Sequence, residues 1–163
     1  TDGHCLVFGR AADNCITRGT AREVSKEEAI DFFLKMEEDG VIHNWLNYAG
    51  TDLYIMCNCC PCCCIAIHPL REHNVSYAKW WSPSRWEASV DKERCIGCEQ
   101  CLDFCAFEAI EMRNGSEEER AHVTPEKCFG CGACVIRCPN ASIDFKLVRP
   151  PEHIPHELAA KFH

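Results

Sequence analysis

At 163 residues, with sixteen cysteines and a net charge of −8, the chain has room for one domain or two small ones and an unusual load of thiols. The acidic balance argues against nucleic acid, whose binding needs basic patches, and no apolar run reaches the ~20 residues of a membrane-spanning helix. Thiolates in this number call for a reducing compartment, so a cytoplasmic setting is expected.

Thr1–Gly19 reads as polar and irregular, with Cys5 and Cys15 as small buried hydrophobes or, for Cys5, a ligand toward something upstream. The apolar run Cys5-Leu-Val-Phe-Gly9 stands almost at the first residue, which gives the expectation that further sequence precedes it. Ser25-Lys-Glu-Glu28 has the form of a capping box, in which Ser25 caps a helix and Glu28 reaches back to its amide. Lys26 to Asp39 then reads as that helix, with Ala29, Ile30, Phe33, Leu34 and Met36 along one face. Gly40 supplies a left-handed C-terminal position, and Val41 to Leu46 follow as a strand.

Cys57-Asn-Cys59-Cys60-Pro-Cys62-Cys63-Cys64 packs six cysteines into eight residues, more than any packing role requires. Alternate cysteines of an extended segment share a face, and a turn at Pro61 would bring the two ends together. A third metal site is expected here, built from a subset of these six, with an iron–sulfur cluster as the first reading and zinc as the runner-up. Redox-active or disulfide-forming thiols are the remaining alternative. His43 and His68 are candidate non-cysteine ligands, since imidazole can replace thiolate on iron. Residues 1–75 are taken together as this cysteine-rich α/β unit. A linker over residues 76–90 carries Trp80, Trp81 and Trp86, which serve packing or docking.

Over residues 91–148 one pattern is written twice. Cys95-Ile-Gly-Cys98-Glu-Gln-Cys101-Leu-Asp-Phe-Cys105 returns, in the same spacing, as Cys128-Phe-Gly-Cys131-Gly-Ala-Cys134-Val-Ile-Arg-Cys138. Three thiolates at i, i+3 and i+6 sit on one tight loop and hold three irons of a cubane. The fourth iron needs a remote cysteine, which in paired runs comes from the other copy. Two [4Fe–4S] clusters are thus predicted: cluster I on Cys95, Cys98, Cys101 and Cys138, cluster II on Cys128, Cys131, Cys134 and Cys105. Zinc is the weaker reading, because its paired C-x2-C knuckles leave the third cysteine of each run without a role. Between the copies, Ala109–Arg113 and Arg120–Val123 read as paired strands joined through Asn114-Gly115. Residues 149–163 read as an arm over the surface or over a partner.

The repeat resembles the bacterial two-cluster ferredoxins over about residues 90–148. It departs from them at Ala106, where the family has Pro and the second copy keeps Pro139; the substitution is expected to alter the local turn without removing a ligand. The earlier segments, Phe8-Gly-Arg-Ala-Ala, Ala21-Arg-Glu-Val-Ser-Lys-Glu-Glu-Ala, Asp39-Gly-Val-Ile-His43 and the Cys57–Cys64 block, are similar to multi-cluster iron–sulfur proteins of anaerobes. The implied fold class is α+β: a small helix–strand, cysteine-rich unit followed by a bacterial two-cluster ferredoxin-like domain. A cluster with four cysteine ligands has no open coordination position, so it moves electrons. The expected function is electron transfer to or from a partner oxidoreductase, alone or within a larger complex. The alternative is a redox enzyme whose Cys57–Cys64 block holds an incompletely ligated cluster or metal that binds substrate. Glu99 beside cluster I, opposite Gly132 in the second copy, leads to the expectation of a lower potential for cluster I.

Overall fold

This computed structural model describes residues 5–45, 54–62, 64–79, 81–114 and 119–154. They fall into two compact units, one drawn from Thr1–Cys60 and Glu152–His163, the other from Pro61–Pro151. Both mix short helices with antiparallel strands.

In the first unit, helix α2 (Lys26–Glu38) begins where Ser25 Oγ accepts a hydrogen bond from the Glu28 amide at 3.1 Å. Such a cap satisfies one orphan N–H of the first turn and is worth about 1 kcal/mol. The Glu28 carboxylate does not complete the capping box, because it binds the Arg22 guanidinium instead. A full positive charge is a stronger partner for a carboxylate than the Ser25 amide. The helix closes at Asp39, and Gly40 follows at φ +73°. Met36, 2% exposed, anchors the inner face of α2.

The segment before it is not irregular, as its sequence suggests. Strand β1 (Cys5–Val7) and helix α1 (Gly9–Thr17) occupy it. The strand is too short to display an alternation, and α1 starts at Phe8 without any side-chain cap. Strands β1, β2 (Ile42–Trp45) and β3 (Ile55–Cys59) form an antiparallel sheet with β3 in the middle. Cys5 lies opposite Cys57, Ile42 opposite Cys59 and His43 opposite Asn58. Leu46, at the expected end of β2, lies outside the described residues.

The second unit opens with α3 (His68–Glu72) and then repeats itself. Strand β4 (Trp86–Val90), helix α4 (Gln100–Asp103) and strand β5 (Ile110–Asn114) recur in order as β6 (Glu119–Val123), α5 (Ala133–Arg137) and β7 (Ile143–Leu147). Pairing crosses the copies: β5 runs against β6 with Ile110 opposite Val123, and β7 against β4 with Ile143 opposite Val90. The expected turn at Gly115 between β5 and β6 lies outside the described residues. The stretch read as a linker ends in a strand, since Trp86–Val90 pair along their whole length with β7. That partner lies at the far end of the repeat, out of reach of any local pattern.

The backbone repeats in detail as well. Gly97 matches Gly130, Glu99 matches Gly132 and Glu108 matches Ala141, each at positive φ in both copies. The turn after the remote cysteine is also the same: Glu108 N–H donates to Cys105 O, and Ala141 N–H to Cys138 O. The expected disturbance at Ala106 is therefore not found in this turn, which forms with Ala as it does with Pro139. The core between the copies is thin. It consists of Ala88, Ala109, Ala121, Ile110, Ile143 and four cysteines, Cys95, Cys101, Cys128 and Cys134.

Candidate metal centres

Each cysteine run wraps a cavity because its backbone reverses hand twice, at Gly97 and Glu99 in the first copy and at Gly130 and Gly132 in the second. A side chain at Gly130 would force the neighbouring backbone to move, because an added Cβ would lie 2.0 Å from Trp86 O.

Cys95, Cys98, Cys101 and Cys138 line one cavity, together with Ile96, Glu99 and Asn140. Cys105, Cys128, Cys131 and Cys134 line the other, with Phe107 and Phe129 in its wall. The two spaces are alike in size, about 340 and about 350 Å³ with their open mouths included. In both, three thiols come from one copy and the fourth from the other.

Electrostatics group the thiols in the same way. Burial pushes Cys101 up to about 11, and Cys95, Cys98 and Cys138 act in the same direction. Burial likewise raises Cys131 to about 11, with Cys105 and Cys128 adding to it. Cys134 is raised by burial and then by Cys131, Cys105 and Cys128, with Cys101 of the other group adding last. Thiolates gathered in this way repel one another and need a cation between them. Cys138 moves the other way: burial raises it, but hydrogen bonds from the Ser142 hydroxyl and amide and from the Asn140 and Ile143 backbone outweigh that and lower it.

The remote cysteines receive backbone hydrogen bonds at matching positions. Ala109 N–H donates to Cys105 Sγ at 3.2 Å and Ser142 N–H to Cys138 Sγ at 3.3 Å. Among the described residues, no three His, Cys, Asp or Glu side chains are grouped as a single metal ion would require. The thiols instead surround a space. Four soft sulfur donors around a cavity, with amides aimed at sulfur, are a donor set that fits an iron–sulfur cluster.

The walls of the two cavities differ. Phe107 and Phe129 stack with centroids 4.6 Å apart, and Tyr77 and Trp81 pack edge-on against Phe107. The equivalent positions in the repeat are Asn140 and Ile96, and Ile96 is 62% exposed. Trp86 stacks on Phe145 at 5.4 Å. Trp80 lies outside the described residues.

The six-cysteine block is arranged differently. Cys57 and Cys59 alternate along β3 on one face, with Cys5 directly across from Cys57. Cys5 is exposed and Cys15 half-buried, so neither is the buried hydrophobe expected. His43 sits on the opposite face, its Nδ1 2.5 Å from Asn58 Oδ1. Cys60 and Cys64 are half-buried and Cys62 is exposed; Cys64 Sγ accepts from the Ala66 amide at 3.4 Å. Cys63 lies outside the described residues. His68 opens α3 and faces Glu72 at 3.8 Å. Sequence reasoning missed Ser142, Phe107 and Phe129. Laying the two copies over each other picks out all three as places where the copies differ.

Residues 88–145 match a protein family described as a 4Fe-4S dicluster domain. Ferredoxin-3 of Nostoc sp. (strain PCC 7120) is 34% identical over 38 residues, 23% of this chain and 38% of that protein. Ferredoxin-2 of Desulfomicrobium norvegicum is 50% identical over 26 residues, 16% of this chain and 44% of that protein. The chain thus spans less than half the length of either relative. Among the described residues no helix is long and apolar enough to cross a membrane. With its doubled cysteine runs and doubled backbone, the stretch 88–145 is a bacterial ferredoxin-type 4Fe–4S domain.

Proposed function

We propose that the chain is an electron-transfer protein or subunit that holds two [4Fe–4S] clusters with exchanged fourth ligands and serves a partner oxidoreductase in a reducing compartment such as the cytoplasm. Cys95, Cys98, Cys101 and Cys138 would hold the first cluster, and Cys128, Cys131, Cys134 and Cys105 the second. The carrying observation is that Cys105 lines the cavity of the second copy's thiols and Cys138 that of the first. When bound, the clusters supply one-electron redox chemistry. The chain's own residues do the rest: amides of Ala109 and Ser142 hold the remote sulfurs, and Phe107 and Phe129 give one cavity an aromatic wall. The Cys57–Cys64 block would add a third iron–sulfur site, with Cys5 as a ligand from outside the block because it faces Cys57.

The test combines composition with one substitution. Protein prepared without oxygen should hold about twelve irons if the third site is a cubane, and about eight from the ferredoxin-type domain alone. Cys105→Ala should damage the cluster on Cys128, Cys131 and Cys134 and leave the signal of the other in low-temperature EPR. Loss of the Cys95–Cys101 cluster alone would sink the exchanged assignment, and eight irons with zinc at Cys57–Cys64 would sink the third cluster.

A further inference from the structure

We infer that Ser142 is a positioning residue acting through Cys138: its hydroxyl hydrogen-bonds the Cys138 sulfur and raises the reduction potential of that cysteine's cluster, with no counterpart in the other copy. The inference rests on the two-cluster reading with exchanged ligands.

The repeat isolates the effect. In the buried core, Ala88 matches Ala121, Cys95 matches Cys128, Cys101 matches Cys134 and Ile110 matches Ile143. The remaining member, Ala109, is matched by Ser142, and the two are equally buried at 3%. Their amides make the same bond to the remote sulfur, at 3.2 and 3.3 Å. What differs is one hydroxyl, whose Oγ lies 3.1 Å from Cys138 Sγ.

A buried hydroxyl without a partner is costly. A thiolate on iron has no proton to give, so here the hydroxyl must be the donor. Reduction adds one electron and makes the ligand sulfurs more negative; the hydroxyl keeps its proton and no bond breaks. A more negative acceptor takes a stronger hydrogen bond, so the reduced state gains more than the oxidised one and the potential rises. Glu99 pulls the same potential down, but it is exposed and its charge is screened by solvent and salt. A direct contact in a buried site is not screened in this way, so the Ser142 effect outweighs it.

The test is a voltammetric titration of anaerobically loaded protein, with EPR and with iron and sulfide counts on every variant. Ser142→Ala should lower one of the two potentials, changing the reduced-to-oxidised ratio at fixed potential by up to about tenfold, or about 59 mV for one electron. Ala109→Ser, which adds the missing hydroxyl, should raise the other potential. If the counts are normal and neither variant moves its potential, the inference fails while the two-cluster reading stands. Counts below about eight irons in the wild-type protein would remove that reading and the inference with it. Should Ser142→Ala fail to load, Ala109→Ser decides alone: a raised potential supports the inference, and an unmoved one overturns it.

Discussion

The two cysteine-rich regions of this chain teach opposite lessons about how a site is written in sequence. In the ferredoxin-type repeat, eight cysteines are spread over two loops, and tertiary structure gathers them around two cavities. In the block at Cys57–Cys64, six cysteines fall within eight residues, yet strand geometry sets Cys57 and Cys59 on one face, Cys60 follows the strand, and Cys62 and Cys64 come after Pro61. Spacing, more than density, decides what thiols can surround. Among the described residues, four of the nine in the repeat's buried core are cysteines and three are alanines, which leaves little apolar bulk apart from the thiols.

The largest expected effect breaks this comparison most directly. Removing iron anaerobically should melt the second unit, since thiolate–metal bonds of structural sites supply on the order of 10 kcal/mol. The first unit has its own core residues in Met36, Val41, Ile42 and Met56, so α2 should keep its amide protection. Hydrogen exchange read segment by segment checks this. Equal protection of 88–145 with and without iron would show that the repeat does not need its metal.

The same contrast explains what is legible in the sequence. The repeat can be read because cluster ligation imposes a fixed spacing, and Ser25 and Gly40 mark the ends of α2 by local chemistry. The three-residue β1 and the uncapped α1 carry no such signal. Strand β4 reads as linker because its partner β7 is distant, and the tryptophan at its start suggests packing of another kind. Ser142 is hidden for a different reason: a single hydroxyl stands out only when the copies are compared position by position.

A smaller effect sharpens the comparison at the backbone. Gly130 has φ +65°, and a Cβ there would lie 2.0 Å from Trp86 O and 2.3 Å from Ser84 Oγ. Gly19 in the first unit has a similar φ of +69° with nothing within 4 Å. The left-handed conformation alone costs an L-residue about 1–2 kcal/mol. Gly19→Ala should therefore cost about 1 kcal/mol, whereas Gly130→Ala should add the displacement of β4 and reach about 3 kcal/mol or more. Denaturation midpoints of the loaded protein separate the two; equal losses would mean that the close approach of the 84–86 backbone is not kept in solution.

The smallest effect lies on the surface, at another place where the two copies differ. Arg94 donates to Asp91 at 2.8 Å and to both Asp144 oxygens at 2.9 and 3.1 Å, and it also reaches the Ala141 carbonyl. The matching positions in the other copy hold Lys127, Thr124 and Glu111, and Glu111 pairs with Arg113 instead. The Arg94 hydrogen bond, followed by the Glu93 amide, holds the Asp91 carboxyl below its ordinary value. A depressed folded-state value means that the stabilisation is fully present above the unfolded value and is lost as pH falls through the folded one. These side chains are exposed, so the contribution is small and screened by salt. Arg94→Gln should accordingly speed the thermal loss of cluster absorbance slightly at neutral pH. The difference from wild type should hold until pH drops below the usual aspartate value of 3.8, then narrow, and it should also narrow in high salt. Acid damage to the clusters is common to both proteins, so their difference isolates the carboxylates. A gap that widened on acidification would mean that Arg94 acts through the Ala141 carbonyl and the turn after Cys138, with the ion pairs contributing nothing.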